Sequence, residues 1–276
     1  MKFSKYQALG NDYIVISPDT PLTRDRIQRI CSRYFGIGSD GILMGPLEAD
    51  KADFALRIFN PDGSEAEKSG NGLRIFARFL WDRGVVADLP FTVDTPGGPV
   101  VCQVGDSGRV IRTDMGRVRF DSISIPMLGL PREVLMEEMD VGETRFKVSG
   151  ATIGNPHCIV HTLRPTPEIA RRYGPMIETD TRFPRHTNVQ FMAVMNPTTI
   201  KLEIWERGAG YTLASGSSAA AAAAVSYRLG LTGPAITVEM PGGRLRVEIS
   251  EDFSVTLTGP AQKICHGSVD PDIFTG

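Results

Sequence analysis

The chain has no cysteine pair, no long apolar run and no basic cluster. Cys31, Cys102, Cys158 and Cys265 stand singly, without the C-x-x-C spacing of a zinc site or the spacing of a disulfide framework. They read as four buried, inert thiols. A formal net charge of -2 over 276 residues argues against nucleic acid as a partner. The start, Met1 to Lys5, lacks the apolar stretch of a signal peptide. The longest apolar run, Ala219 to Val225, falls far short of the roughly 20 residues that span a bilayer. The expectation is a soluble, cytoplasmic chain without a membrane segment, long enough for two domains with real cores.

What the chain does have is a glycine-rich helix start, made twice. Asn60-Pro61-Asp62-Gly63 is a turn tetrad, and Ser69-Gly70-Asn71-Gly72 follows it. Leu73, Phe76, Ala77 and Leu80 then recur at the spacing of one helical face, with Gly84 where a helix C-terminal glycine belongs. Backbone N–H groups at such a start point outward, with the positive end of the helix dipole behind them, and suit a carboxylate or phosphate. Ala214-Ser215-Gly216-Ser217-Ser218 repeats the move after a Gly-rich turn, Glu206 to Gly210, and opens a helix that runs from Ala219 to Leu229 and stops at Gly230. A phosphate-binding nucleotide loop is a poor alternative, since the Lys-Ser/Thr pair and the βαβ setting are missing.

In order along the chain, residues 1 to 16 read as two strands joined at Leu9-Gly10-Asn11-Asp12. Ile27, Ile30, Cys31 and Tyr34 mark a helix ended by Gly36, and residues 53 to 59 alternate as a strand. Short strands follow at Phe91–Asp94, Pro99–Val104 and Arg109–Asp114, and the pattern is irregular from Arg117 to about Met139. The second half echoes the first. Leu9 to Val15 matches Ile153 to Ile159, Ser69-Gly70 matches Ser215-Gly216, and Phe91 to Gly98 matches Ile236 to Gly243, displaced by 144, 146 and 145 residues. Such agreement marks a duplicated unit, and two related halves would place both serine-tipped helix starts in one ligand cleft.

The runs Leu9-Gly10-Asn11-Asp12, Phe59-Asn60-Pro61-Asp62-Gly63-Ser64, Ser69-Gly70-Asn71-Gly72-Leu73-Arg74, Gly154-Asn155-Pro156-His157, Glu206-Arg207-Gly208-Ala209-Gly210 and Thr258-Gly259-Pro260-Ala261 resemble the diaminopimelate epimerase family, from about residue 3 to 268. The resemblance implies an α+β fold of two pseudo-symmetric domains, each a β-sheet wrapped around a central helix: 1–117, 118–262, and a tail, 263–276, returning to the first domain. It implies conversion of LL- to meso-diaminopimelate, in lysine and cell-wall precursor synthesis, with no cofactor and no metal. Inversion needs two acid/base groups flanking a carbon. The substrate carboxylate would lie on the N–H groups of Gly70, Asn71, Gly216 and Ser217, whose dipoles stabilise the carbanion. Asn11, Asn60, Asn155 and Asn188 would grip the far end of the substrate as amide donors and acceptors, with Glu206 for an ammonium and Arg207 as a fork for a carboxylate. Each asparagine taken alone also reads as a turn residue. A homodimer is left open.

The family's two acid/base cysteines are Ser69 and Ser215 here. A thiol titrates near 8.5 and lower at a helix start, whereas an alcohol is closer to water, about 15.7. The gap of roughly seven units is worth on the order of 9 to 10 kcal/mol, against ~1 to 2 kcal/mol from a helix dipole. The resemblance implies two helpers, His157 and Glu206, with His157 activating Ser69. His157 also reads as a structural histidine after a proline turn, and Glu206 as a surface partner of Arg207. The serines read either as changes engineered to trap an unreacted substrate or as natural divergence; Ser218 and Tyr211, which depart too from the Gly and Glu that flank the family's second thiol, favour divergence. Two functions follow: an isomerase with serines at the acid/base positions, or an inactive relative that binds an amino acid.

Overall fold

The computed structural model describes residues 1–19 and 21–275. The chain divides into two compact units, Met1–Thr113 with Thr258–Gly276, and Asp114–Leu257. In the first, a hairpin of β1 (Lys2–Ala8) and β2 (Asn11–Ile16) leads to α1 (Arg24–Cys31), β3 (Ile42–Leu47), β4 (Phe54–Phe59), the short β5 (Glu65–Ala66), α2 (Gly70–Asp82), β6 (Phe91–Asp94), β7 (Val100–Gly105) and β8 (Val110–Arg117). The hairpin turn needs left-handed backbone at both central residues, Leu9 at φ 56° and Gly10 at φ 85°. The glycine suits this and the leucine is strained.

The second unit carries β9 (Glu137–Val141), β10 (Thr144–Thr152), β11 (Pro156–His161), α3 (Pro167–Glu178), β12 (Asn188–Asn196), β13 (Thr199–Glu206), β14 (Gly210–Thr212), α4 (Gly216–Arg228), β15 (Ala235–Met240), β16 (Gly243–Ile249) and β17 (Ser254–Gly259), and β18 (Gln262–Ser268) returns to the first unit. The pairing shows the duplication strand by strand. The first sheet runs β18-β1-β2-β3-β4-β6-β7, with β2–β3 and β4–β6 parallel and the other neighbours antiparallel. The second runs β9-β10-β11-β12-β13-β15-β16, with β11–β12 and β13–β15 parallel and the others antiparallel. β18, at the end of the chain, fills in the first sheet the place that β9 fills in the second.

Each sheet curls about one helix. α2 packs on β1, β2, β7 and β18, and α4 packs on β10, β11, β12, β13, β15 and β16. Leu73, Phe76, Ala77 and Leu80 are fully buried against Val15, Leu56, Ile58 and Val93, as their helical spacing predicts. Ala219 to Ala224 are likewise fully buried: methyl side chains let strands approach a central helix from several sides. α1 covers the other face of the first sheet through Ile27, Ile30 and Cys31 on Ile14, Ile16, Ile42 and Phe59.

Three expectations are corrected. α1 stops at Cys31, and Tyr34 is 94 % exposed. Ser32 leaves the helix at ψ 125°, and the chain doubles back so that the Ile37 and Gly38 N–H groups donate to Ile30 O. Gly36 serves that return, since a Cβ there would lie 2.0 Å from Arg29 O. Cys265 is exposed, while the other three thiols are buried; it sits on β18, whose side chains face outward almost throughout. Part of the stretch read as irregular is regular as well, since β9 begins at Glu137.

The glycine stops hold in both units. Gly84 N–H donates to Trp81 O and Val85 N–H to Leu80 O, while Gly230 N–H donates to Tyr227 O and Leu231 N–H to Ser226 O, the Schellman arrangement in each case. Gly84 and Gly230 have φ of 67° and 68°, and a Cβ at either would meet nothing within 4 Å. Gly84→Ala and Gly230→Ala are therefore each expected to cost about 1–2 kcal/mol from backbone strain alone, read as a lower urea midpoint with an unchanged m-value.

Candidate functional site

In the first unit Ser69 caps α2: the Gly72 N–H donates to Ser69 Oγ at 3.0 Å. Gly70 and Asn71, the first two residues of the helix, have no acceptor for their N–H groups within it. A chain of side-chain hydrogen bonds backs this start. Arg74, fully buried, donates to Gly70 O at 3.0 Å and to Asn71 Oδ1 at 2.6 Å. Asn71 Nδ2 donates to Asn11 Oδ1 at 3.1 Å, and Asn11 Nδ2 donates to Asp40 at 2.9 Å. Asp40 and Asp12 share Arg33, and Lys5 pairs with Asp12 at 2.8 Å. Because a guanidinium only donates and a carboxylate only accepts, the ends of this chain set the orientation of both amides. Burial without a carboxylate partner pushes the Arg74 guanidinium down to about 10. Asn60 heads its turn as expected, with Gly63 N–H donating to Asn60 O and Asn60 Nδ2 to Ser64 Oγ, each at 3.0 Å.

In the second unit Ser215 holds the matching place, 4 % exposed, but makes no capping bond from its side chain. Its Oγ lies 3.5 Å from Ser217 Oγ, to which Asn155 Nδ2 donates at 3.4 Å. Gly216 and Ser217 open α4 as Gly70 and Asn71 open α2. His157, fully buried on β11, sets its Nε2 3.0 Å from Asn155 Oδ1. His157 Nδ1 and Gln190 Oε1 are buried without a partner, and Gln190 Nε2 donates to Ser218 Oγ at 2.9 Å. Burial pushes the His157 imidazole down to about 3, with Gln190 acting the other way and the charge of Arg207 adding to the fall. The ring is therefore neutral near pH 7.

The turn from Glu206 to Gly210 is braced from two sides. Asn188 accepts the Arg207 N–H at 3.0 Å and donates to Pro156 O at 2.9 Å, so one amide ties the start of β11 to the end of β13. Glu178, at the end of α3, accepts from Gly208 N–H at 2.8 Å and from Trp205 Nε1 at 2.6 Å. Gly174 admits that indole, since a Cβ there would stand 2.5 Å from Trp205 Cγ. The Arg207 guanidinium is exposed and donates to Arg185 O at 3.2 Å. Glu206 is half-buried at the end of β13.

Asn11, Asn60, Ser69, Gly70 and Asn71 lie in the first unit, and Asn155, His157, Asn188, Glu206, Arg207, Ser215, Gly216 and Ser217 in the second. Asp40, Arg74, Glu178 and Gln190, which brace these residues, were not legible as members. Only Asn71 beside Arg74, at helical i, i+3 spacing, carried a signal; the other contacts join distant segments. Among the described residues no group of three or more His, Cys, Asp or Glu is placed to hold a metal ion, and no helix is long and apolar enough to cross a membrane.

The caps and the buried histidine give two predictions. Ser69→Ala is expected to cost about 1 kcal/mol, the usual loss of a capping hydroxyl, and Ser215→Ala clearly less, in the same urea titration. The unfolded chain binds a proton at His157 near 6.5 and the folded chain only near 3, so stability falls as pH drops through that window. His157→Gln should flatten the loss by at most about 1.4 kcal/mol per pH unit, read from unfolding at pH 7, 6 and 5.

The sequence matches the profile of the diaminopimelate epimerase family over residues 3–120 and 150–264. It is 53% identical over 277 residues to "Diaminopimelate epimerase 2" of Nostoc sp., covering 99% of this chain and 97% of that one. It is 37% identical over 279 residues to the diaminopimelate epimerase of Pelotomaculum thermopropionicum, covering 97% and 98%. Among solved structures, a probable proline racemase from Agrobacterium radiobacter with bound carbonate matches at TM-score 0.75 and 16% identity, covering 99% of this chain and 94% of that chain, a likeness of fold. With its motifs, its duplicated sheets and relatives of this identity along its length, the chain belongs to the diaminopimelate epimerase family.

Proposed function

We propose that the chain interconverts LL- and meso-diaminopimelate without a cofactor, for lysine and cell-wall precursor synthesis, using hydroxyls where the family uses thiols. The observation that carries this reading is the paired helix start: Ser69 before Gly70 and Asn71, and Ser215 before Gly216 and Ser217. In this reading the carboxylate next to the reacting carbon rests on the outward N–H groups, Ser69 serves one face of that carbon and Ser215 the other. Removing the α-proton leaves an electron pair that spreads into the carboxylate, where the two helix dipoles favour it. Glu206 is assigned to the distal ammonium, Arg207 to the distal carboxylate, and Asn11, Asn60, Asn155 and Asn188 to amide contacts or to holding those groups in place. The neutral imidazole of His157 is assigned to proton handling through Nε2. The substrate is a free small molecule, the place of action the cytoplasm, and assembly as a homodimer stays open.

A second reading, binding of the same amino acid without turnover, is favoured by the serines themselves. An unassisted alcohol is roughly seven units too weak an acid for the step. Incubation with LL-diaminopimelate in deuterated water separates the two. The epimerase reading expects deuterium at the α-carbon and conversion to the meso form, slowly in this chain and at least about 100-fold faster when Ser69 and Ser215 are both replaced by Cys. Binding by calorimetry with no deuterium in either protein would leave the second reading standing.

A further inference from the structure

The two half-sites carry different titratable groups at one equivalent position. The displacement of 144 residues that pairs Leu9 with Ile153 pairs Asn11 with Asn155 and Tyr13 with His157. The match holds in three dimensions: β2 and β11 occupy the same place in their sheets, each next to a parallel partner. The asparagines behave alike, since Asn11 meets Asn71 and Asn155 meets Ser217, the second residue of α2 and of α4. Where the second unit presents a buried imidazole, the first presents a buried phenol.

That phenol touches the reacting hydroxyl. Tyr13 Oη lies 3.3 Å from Ser69 Oγ, and Tyr13 is 7 % exposed. Its ring is seated where only glycine leaves room: a Cβ on Gly41 would stand 2.6 Å from Tyr13 Cε1. Ser69 Oγ already accepts the Gly72 N–H, which uses one of its two lone pairs. Its own proton is left to point either at the phenol oxygen or at a substrate. Ser215 has no phenol neighbour of this kind, its hydroxyl contact being Ser217.

We infer that Tyr13 is the proton store of the first half-site, acting through Ser69 on the α-carbon of the substrate. The inference rests on the epimerase reading. In water a phenol is a stronger acid than an alcohol by about five to six units; burial takes back part of that advantage, so Tyr13 narrows the gap that the exchange of thiol for hydroxyl opens without closing it. In the removing direction the Cα–H bond breaks, the proton joins Ser69 Oγ, and the hydroxyl proton of Ser69 passes to the Tyr13 phenolate oxygen. The electron pair stays on carbon and spreads into the carboxylate. In the returning direction Tyr13 gives its proton to Ser69 Oγ as Ser69 delivers its own to carbon. The phenolate arises by loss of the phenol proton to water, so the rate climbs with pH. Tyr13 is thus a positioning and proton-holding residue, and Ser69 the catalytic one.

Deuterium exchange at the α-carbon of diaminopimelate tests this with four proteins: the chain as it is, Tyr13→Phe, Ser69→Cys, and the two changes together. Removing the phenol oxygen should slow exchange about 100-fold with little change in KM, and should abolish the rise in rate above pH 8. In the Ser69→Cys background the same change should cost only a few-fold, because a thiol titrates on its own. An equal loss in both backgrounds, no loss in either, or an unchanged pH profile would overturn the relay. So would exchange by the Ser69→Cys protein with none by the unaltered chain, a result that also removes turnover by the chain itself and leaves the binding reading, whereas the preceding results leave the epimerase reading intact. Silence from all four, with the double Cys protein also inactive, removes that reading and the relay with it.

Discussion

A helix sheathed by strands must satisfy its backbone within itself, and it can do so everywhere except at its ends. α2 and α4 are buried along most of their length, so their first-turn N–H groups and last-turn carbonyls are the points where each core meets something else. Both C-termini close on themselves through a left-handed glycine. Both N-termini are left for small residues, Gly70 and Asn71 or Gly216 and Ser217, which bring little bulk to the first turn. The glycine stop and the glycine start differ in effect: one closes the last-turn carbonyls on the chain itself, and the other leaves first-turn N–H groups without an acceptor inside the helix.

The two starts are braced by different chemistry. In the first unit the amides of Asn71 and Asn11 stand between a guanidinium that only donates and a carboxylate that only accepts, so their orientation follows from charge at both ends. Among the described residues no carboxylate pairs with Arg74, and burial weakens its hold on the proton. In the second unit the corresponding chain is neutral, running from His157 through Asn155 to Ser217 and Ser215. It leaves His157 Nδ1 and Gln190 Oε1 unpaired in the core.

Much of this was legible in sequence because it is local or periodic. The apolar spacing of Leu73, Phe76, Ala77 and Leu80, the stops at Gly84 and Gly230, the turn at Asn60 and the three matched segments each lie within a few residues or recur at one displacement. What could not be read is what depends on strands meeting. Asp40 reaches Asn11 from the segment before β3, Glu178 reaches Gly208 from the end of α3, and Arg74 turns back to Gly70 only because its helix is enclosed. The apolar spacing that placed Tyr34 on α1 failed for the same reason: the chain after Ser32 is held by hydrogen bonds to Ile30 and Cys31, which outweigh one more turn of helix. Cys265 was misjudged because an outer strand leaves even a small apolar side chain in water.

Duplication also explains why the parts that differ are the informative ones. Identical needs of a fold keep equivalent positions alike, as at Ser69 and Ser215, Gly70 and Gly216, Gly84 and Gly230. Tyr13 against His157 and Asn71 against Ser217 differ although strand register and helix start are held in common. Packing does not force these differences, since both sheets have the same order and the same parallel neighbours. In the first unit a phenol, Tyr13, lies beside Ser69; in the second an imidazole, His157, is joined through Asn155 and Ser217 to Ser215.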